Sequence, residues 1–210
     1  QELDVSFIGS GGNVVDDEYV TYHEENFVKD PEFASEVEKS MWIWKKPEVG
    51  HKYIMGVDVS RGDGKDSSTI VILDFENLEQ VAEFKHKLPP DILAEIVYKY
   101  GNMYNAYTIV DITGGMGVAT ARRLQELGYI NFYIDGVDMS NKWKWDPKAN
   151  EKIPGINFNN KRVQIIAAFE EAVRHEFKVR SSRLLGEMGT FVYINGRPDH
   201  QKGHHDDCIM

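Results

Sequence analysis

The chain of 210 residues has a single cysteine, Cys208, so neither an internal disulfide framework nor a multi-thiolate zinc site can form. It lacks any apolar run close to the roughly 20 residues that a membrane helix requires, and it does not open on a charged and then apolar signal peptide. With 41% hydrophobic and 28% charged residues, its composition is that of a soluble globular domain. We therefore expect a globular protein from a reducing compartment.

Signatures of nucleotide and calcium binding are missing as well. A phosphate-binding loop needs Ser or Thr directly after its Gly-Lys pair, but Gly64-Lys65 is followed by Asp66. A calcium-binding loop beginning at Asp58 would need an acid as its final ligand, and Thr69 stands there. We expect no ATP hydrolysis by this chain itself, because an ATP-driven motor would need a phosphate-binding loop upstream of residue 1.

Charge is unevenly distributed along the chain. The formal net charge is −10, which at first argues against a nucleic-acid partner. Residues 1–50, however, hold 12 acidic and 4 basic residues, whereas residues 141–183 hold 10 basic and 5 acidic ones. The second stretch is either a solvated surface or a site that grips a phosphate backbone. Its basic residues include Lys142, Lys144, Lys161 and Arg162, with Trp143 and Trp145 interleaved.

The first fifty residues predict an arm or linker, followed by a domain over 51–210. The arm contains a helical pattern from Pro31 to about Lys39 and too few apolar residues to build a core of its own. We expect Trp42 and Trp44 to pack against the domain that follows. This organisation indicates a piece of a longer protein.

The pattern from residue 52 onwards predicts a mixed sheet. Three strands over 53–59, 68–73 and 80–86 are joined by short turns, which is typical of an antiparallel meander. A helix then begins at Pro89-Pro90 and is predicted to end at Gly101. A further strand over 107–110, a glycine-rich turn and a helix over 118–127 form a βα unit.

Carboxylates stand where such a sheet presents its site. Asp58 and Asp111 each end an apolar strand, and Asp206 and Asp207 follow the pair His204-His205 near the end of the chain. Carboxylate oxygens suit a hard divalent cation such as Mg²⁺. Two such ions can activate a water and stabilise the leaving oxygen in phosphodiester cleavage. The alternative is that each aspartate only shapes a turn.

Three segments together resemble the nuclease of the large terminase subunit of tailed bacteriophages. Residues 53–62 with 66–68 are similar to its first motif, residues 109–119 to its second and residues 203–207 to its third. Residues 7–11 and 46–51 resemble the segment that joins the terminase ATPase domain to the nuclease. The similarity covers most of the chain and is greatest to T-even-type phages.

This resemblance implies an α/β fold with a ribonuclease H/resolvase-like mixed sheet flanked by helices. It implies a Mg²⁺- or Mn²⁺-dependent endonuclease, with two ions, that cuts concatemeric double-stranded DNA during genome packaging in the host cell cytoplasm. The portal, the small terminase subunit and an upstream ATPase domain would be its partners, without a membrane. Asp58, Asp111 and Asp207 would be the catalytic metal ligands. Asp206 competes with Asp207 for the third place.

Two points stay open at the level of sequence. The family often has Glu at the second position, so with the shorter Asp111 a metal would sit closer to the strand or be reached through water. A function of a different class is a non-catalytic packaging module that docks on the capsid portal, in which the carboxylates only make turns. Under the nuclease hypothesis, Lys142, Lys144, Lys161 and Arg162 would grip the DNA backbone without reading its bases.

Overall fold

The computed structural model describes residues 12–34, 40–64, 66–135, 153–175 and 177–209. Its centre is a six-stranded sheet with the spatial order β1-β2-β5-β4-β3-β6. Strands β3, β4 and β5 form the predicted antiparallel meander, and β6 pairs in parallel with β3. The predicted mixed sheet is therefore confirmed. Its strands are β1 (Phe33–Ala34), β2 (Met41–Ile43), β3 (Tyr53–Asp58), β4 (Ser68–Asp74), β5 (Glu79–His86) and β6 (Tyr107–Val110).

One face of the sheet is apolar. Tyr53, Met55 and Val57 alternate along β3 with less buried residues, and they pack with Leu93 and Val97 of helix α2 (Pro90–Tyr104). A side-chain period of two on the strand meets a period near 3.6 on the helix, so each element buries one side. Helix α3 (Met116–Glu126) lies beside α2 and also packs into this core through Leu124.

The other face carries a second apolar cluster built from both ends of the chain. Val14 and Val15 near the start of the chain pack there with Phe191 and Ile209 near its end. The cluster is enclosed by α1 (Asp17–Asn26), α4 (Arg162–His175), α5 (Ser182–Met188) and the hairpin of β7 (Phe191–Ile194) and β8 (Arg197–His200).

The described part of the arm is built into this structure. Strand β2 pairs with β5, and the Trp44 side chain is fully buried, as expected from its packing on the following domain. The boundary predicted between residues 50 and 51 falls in the loop between β2 and β3. The helix predicted from Pro31 is wrong where it can be compared, because Phe33 and Ala34 form β1 and pair with β2. Residues 35–39 lie outside the described residues.

Gly101 does not end a helix, contrary to the prediction. Helix α2 continues to Tyr104, and Asn105 stops it in a left-handed conformation with φ of 48°. A Cβ on Gly101 would lie 2.6 Å from the Tyr129 hydroxyl oxygen. The absence of a side chain at Gly101 therefore leaves room for the Tyr129 ring to pack against the helix.

Some predictions concern segments that the structure leaves undescribed. Lys142, Lys144, Trp143 and Trp145 lie outside the described residues, and their predicted contact with DNA stays a prediction. Among the described helices, none is both long enough and apolar enough to span a lipid bilayer.

Candidate active site

Strand register places four side chains in one row across the sheet. Val57 of β3 pairs with Val110 of β6, so the next residues, Asp58 and Asp111, lie side by side at the carboxyl ends of two parallel strands. The Asp111 N–H donates to the Val57 carbonyl at 2.9 Å and continues the ladder to this point. The row continues across the sheet because Asp58 pairs with Thr69 and Thr69 pairs with Lys85. Cross-strand partners point to the same face, which is the face opposite the α2 core.

The C-terminal turn lies over this row. The Thr69 hydroxyl donates to the backbone carbonyl of Asp207, and the Ser67 N–H donates to Asp207 Oδ2 at 3.4 Å. Lys85 Nζ lies 3.3 Å from the same oxygen. Asp111 follows β6, Asp58 ends β3, and Asp207 lies in the turn beside the start of β4. The three carboxylates therefore lie at the same end of these strands.

A close approach of backbone to backbone shapes the Asp111 end. The Thr113 N–H donates to Asp111 Oδ1 at 2.8 Å, which forms an Asx turn at the strand end. Gly117 opens helix α3 directly against the strand, and a Cβ there would lie 1.8 Å from the Asp111 carbonyl oxygen. Only glycine permits this distance, so the glycine-rich turn fixes where Asp111 is presented.

Asp58 has an unusual electrostatic environment. Its pKa is raised from 3.8 to about 7, mainly by burial and then by the negative charges of Asp111 and Asp207, with a smaller effect from Asp206. A buried carboxyl group surrounded by other carboxyl groups lacks compensating positive charge. A divalent cation among these oxygens would supply that charge, and oxygen donors of this kind suit Mg²⁺ or Mn²⁺. The residues present therefore fit a metal site.

Asp206 and Asp207 are neighbours in sequence but have different partners. Asp206 accepts a hydrogen bond from the Arg162 guanidinium at 3.0 Å and lies 3.2 Å from His200 Nδ1. Asp207, by contrast, points toward Ser67 and Lys85 in the row that contains Asp58. These contacts favour Asp207 over Asp206 as the third ligand.

Two groups of side chains could bring further metal-binding atoms together. Asp66 and His205 lie with Asp207 so that one ligand atom of each is within 4.8 Å of the others. Asp199, His200 and Asp206 form a similar group, but Arg162 already neutralises Asp206 there. Asp66 and His205 are thus the better candidates for additional metal ligands beside Asp207.

The two described residues predicted to bind DNA each have an acidic neighbour. Lys161 Nζ donates to Asp135 Oδ1 at 2.5 Å and to the Tyr133 hydroxyl at 3.2 Å. The Arg162 guanidinium donates to the Pro198 carbonyl as well as to Asp206. Both lie at the start of α4, and Arg162 contacts the turn that carries the third predicted ligand.

No signal in the sequence marks Lys85, Thr69 or Glu187 as part of a site. Lys85 Nζ donates to Glu187 Oε1 at 2.5 Å, and Glu187 belongs to α5, 102 residues further along the chain. Lys85 lies inside a strand that also carries Glu79, Glu83 and His86, so no local pattern marks it as part of a site. Only the register across β3, β4 and β5 places it in the row with Asp58.

The fold is that of phage large terminase nuclease domains, although no family model matches the sequence. The large terminase nuclease from thermophilic phage G20c superimposes with a TM-score of 0.66 and 15% identity, over 91% of this chain and 94% of that one. The same nuclease with bound magnesium has a TM-score of 0.64 and 18% identity, over 91% and 92%. The large terminase nuclease domain of Thermus phage P74-26 has a TM-score of 0.60 and 16% identity, over 90% of each chain. At these identities, the likeness confirms the expected ribonuclease H/resolvase-like architecture.

Proposed function

We propose that this chain is a metal-dependent endonuclease and that it cuts concatemeric double-stranded DNA during phage genome packaging. The observation that carries the proposal is the convergence of Asp58, Asp111 and Asp207 at one edge of the sheet. The fold supports it, because a structural neighbour of this fold is a terminase nuclease with bound magnesium. The raised pKa of Asp58 supports it too, since a bound cation would offset the burial and the repulsion that raise it.

Asp58, Asp111 and Asp207 would hold the metal, which we take to be two Mg²⁺ or Mn²⁺ ions. Two such ions, when bound, supply an activated water and stabilise the leaving oxygen of a phosphodiester. The chain itself presents the carboxylates. Strand register aligns Asp58 with Asp111, the Asx turn orients Asp111, and hydrogen bonds from Thr69 and Ser67 hold Asp207 above the row.

The described basic residues beside the site would contact the DNA backbone. Arg162 contacts Asp206 of the Asp206-Asp207 turn and Lys161 precedes it in the chain, so a strand that enters the site would pass them. Each would exchange its carboxylate partner for a phosphate, which is a bond of the same charge-assisted type. Together with Lys142 and Lys144, they would bind DNA without sequence specificity.

The wider biological assignment follows from the motifs. We infer a large terminase of the T-even type, in which residues 1–50 connect to an upstream ATPase domain and 51–210 form the nuclease. The portal and the small terminase subunit would be its partners, and the host cytoplasm its site of action. The described part of residues 1–50 packs on the sheet, which agrees with a connecting segment that is anchored to the nuclease.

A metal titration with plasmid DNA tests the proposal. The purified chain is incubated with supercoiled plasmid in Mg²⁺, in Mn²⁺ and in EDTA, and nicked and linear products are quantified on gels. We expect cleavage that depends on Mg²⁺ or Mn²⁺ and stops in EDTA. DNA that stays intact at every concentration of both metals would overturn the nuclease and favour the non-catalytic docking module.

A further inference from the structure

The predicted ligand Asp207 contacts a largely buried ion pair between Lys85 and Glu187. Lys85 Nζ lies 2.5 Å from Glu187 Oε1 and 3.3 Å from Asp207 Oδ2. The Lys85 side chain is 22% exposed, and the carboxylates of Glu187 and Asp207 are 8% and 10% exposed. At this burial the Lys85 side chain has few alternative rotamers, so its ammonium group restrains the Asp207 carboxylate beside it.

Glu187 holds the same segment at a second point. Its Oε2 accepts a hydrogen bond from the Cys208 N–H at 2.6 Å, one residue beyond Asp207. Glu187 therefore contacts the backbone after the ligand, while Lys85 contacts the ligand itself. The pair links β5 and α5 to a turn that has no regular secondary structure of its own.

The charges of Lys85 and Glu187 balance each other beside the predicted ligand. A lone lysine beside a metal ligand would cancel the negative charge that a cation requires. Because Glu187 balances Lys85, the pair orients Asp207 and leaves its charge available. The second oxygen of Asp207 is then free to face the row that contains Asp58.

We propose that Lys85 is a positioning residue for Asp207: with Glu187 as its counter-ion, it anchors Oδ2 so that the carboxylate meets the metal in one orientation. This inference rests on the proposed function, since it assumes that Asp207 is a metal ligand. Outer partners of metal ligands act in this way, and their loss weakens metal affinity by about 10–100-fold.

Isothermal titration of the metal-free chain with Mn²⁺ tests the proposal without a cleavage assay. We expect Lys85→Met to weaken Mn²⁺ binding by about 10–100-fold and Lys85→Arg to weaken it less. Lys87→Met is the matched control, because Lys87 follows β5 on the surface and should leave the affinity unchanged. In an Asp207→Asn background, Lys85→Met should cause no further loss of affinity.

Three outcomes would count against the proposal. A folded Lys85→Met variant with wild-type Mn²⁺ affinity would overturn the role of Lys85, and so would an equal loss in the Asp207→Asn background. A wild-type chain that binds no Mn²⁺ would overturn the metal site and the inference with it. If Lys85→Met does not fold, Lys85→Met with Glu187→Gln removes both charges of the pair, and this variant should fold and still bind Mn²⁺ weakly.

Discussion

The two ends of the central sheet each carry an aspartate at the end of a strand, in opposite electrostatic settings. Asp58 ends β3 and Asp74 ends the antiparallel neighbour β4, so the two aspartates lie at opposite ends of this strand pair. The Asp74 carboxylate is hydrogen-bonded to His51 Nδ1 at 2.8 Å and accepts from the Asn77 side chain and the Glu76 N–H. Asp58 instead faces the carboxylates of other aspartates.

The pKa values express this difference. Burial alone would raise the pKa of Asp74, but hydrogen bonds from His51, Asn77 and the backbone outweigh it and lower the pKa below its usual value. The pKa of Asp58 rises to about 7, because burial and like charges act together. Asp74 is thus held by a cluster of hydrogen bonds that shapes a turn, whereas Asp58 lies among like charges and is a candidate metal ligand.

The strongest test of this difference replaces Asp58 or Asp74 with Asn, which removes the charge at nearly constant size. Asp58→Asn should lower plasmid cleavage by at least about 10³-fold, since bound metal supplies several kcal/mol of transition-state stabilisation. Asp74→Asn should leave the cleavage rate near that of wild type and lower the free energy of unfolding by about 1–3 kcal/mol. Rates and urea unfolding measured on both variants check this. Wild-type cleavage by Asp58→Asn would remove Asp58 from the site.

The second prediction concerns the pH dependence of stability without metal. Because the folded-state pKa of Asp58 is raised, the folded chain binds a proton between about pH 4 and 7 that the unfolded chain has released. The free energy of unfolding should therefore fall as the pH rises from about 4 to about 7, by up to about 4 kcal/mol for a shift of about three pH units, and it should level off above pH 7. Asp74 works in the other direction: its stabilisation is present above its unfolded-state pKa and is lost as the pH falls.

Urea unfolding in EDTA at pH 5 and pH 8 measures this difference. The loss between the two pH values should be smaller in Asp58→Asn than in wild type, because the variant has no carboxyl group to ionise there. Asp74 remains ionised over this whole range, so the difference between wild type and variant isolates Asp58. Equal losses in both proteins would contradict a raised pKa at Asp58.

The third prediction tests the glycine that brings helix α3 against the site edge. Gly117→Ala should lower the free energy of unfolding by about 3 kcal/mol and reduce cleavage, because its Cβ would collide with the Asp111 carbonyl at 1.8 Å. Gly186→Ala in α5 is the matched control, since a Cβ there meets nothing within 4 Å. That change should stabilise the chain by about 0.5–1 kcal/mol. Similar effects of the two substitutions would show that the close approach is unimportant.

The fourth prediction separates the two neighbouring aspartates. Asp207→Asn should be inactive, whereas Asp206→Asn should keep measurable cleavage with metal affinity lowered by about 10–100-fold. Cleavage measured across a Mn²⁺ series checks this, because more metal can rescue a weakened site but cannot replace a missing ligand. The reverse order would transfer the ligand role to Asp206.

The smallest effect is expected at the basic surface. Lys161→Ala should lower the log–log salt slope of DNA binding by about 0.9, the contribution of one phosphate contact on duplex DNA. Binding measured from low to moderate salt in EDTA gives the slope in the absence of cleavage. Lys87→Ala provides a comparison with an exposed lysine at the end of β5. An unchanged slope would limit Lys161 to its contacts with Asp135 and Tyr133.

The sequence by itself determined the meander, helix α2 and the βα unit, together with Asp58 and Asp111 at strand ends. These features depend on local periodicity and turn chemistry, which neighbouring residues specify. The local signals failed at Gly101, where the Tyr129 ring decides which residue is tolerated, and at Phe33, which pairs with β2.

Only the tertiary structure decided how the third carboxylate reaches the row. Ser67 meets Asp207 across 140 residues of chain, and Lys85 meets Glu187 across 102. Asp206 and Asp207 share every local property, but Arg162 binds one and Lys85 contacts the other. Strand register and packing between distant segments select these partners, and the order of residues along the chain does not record them.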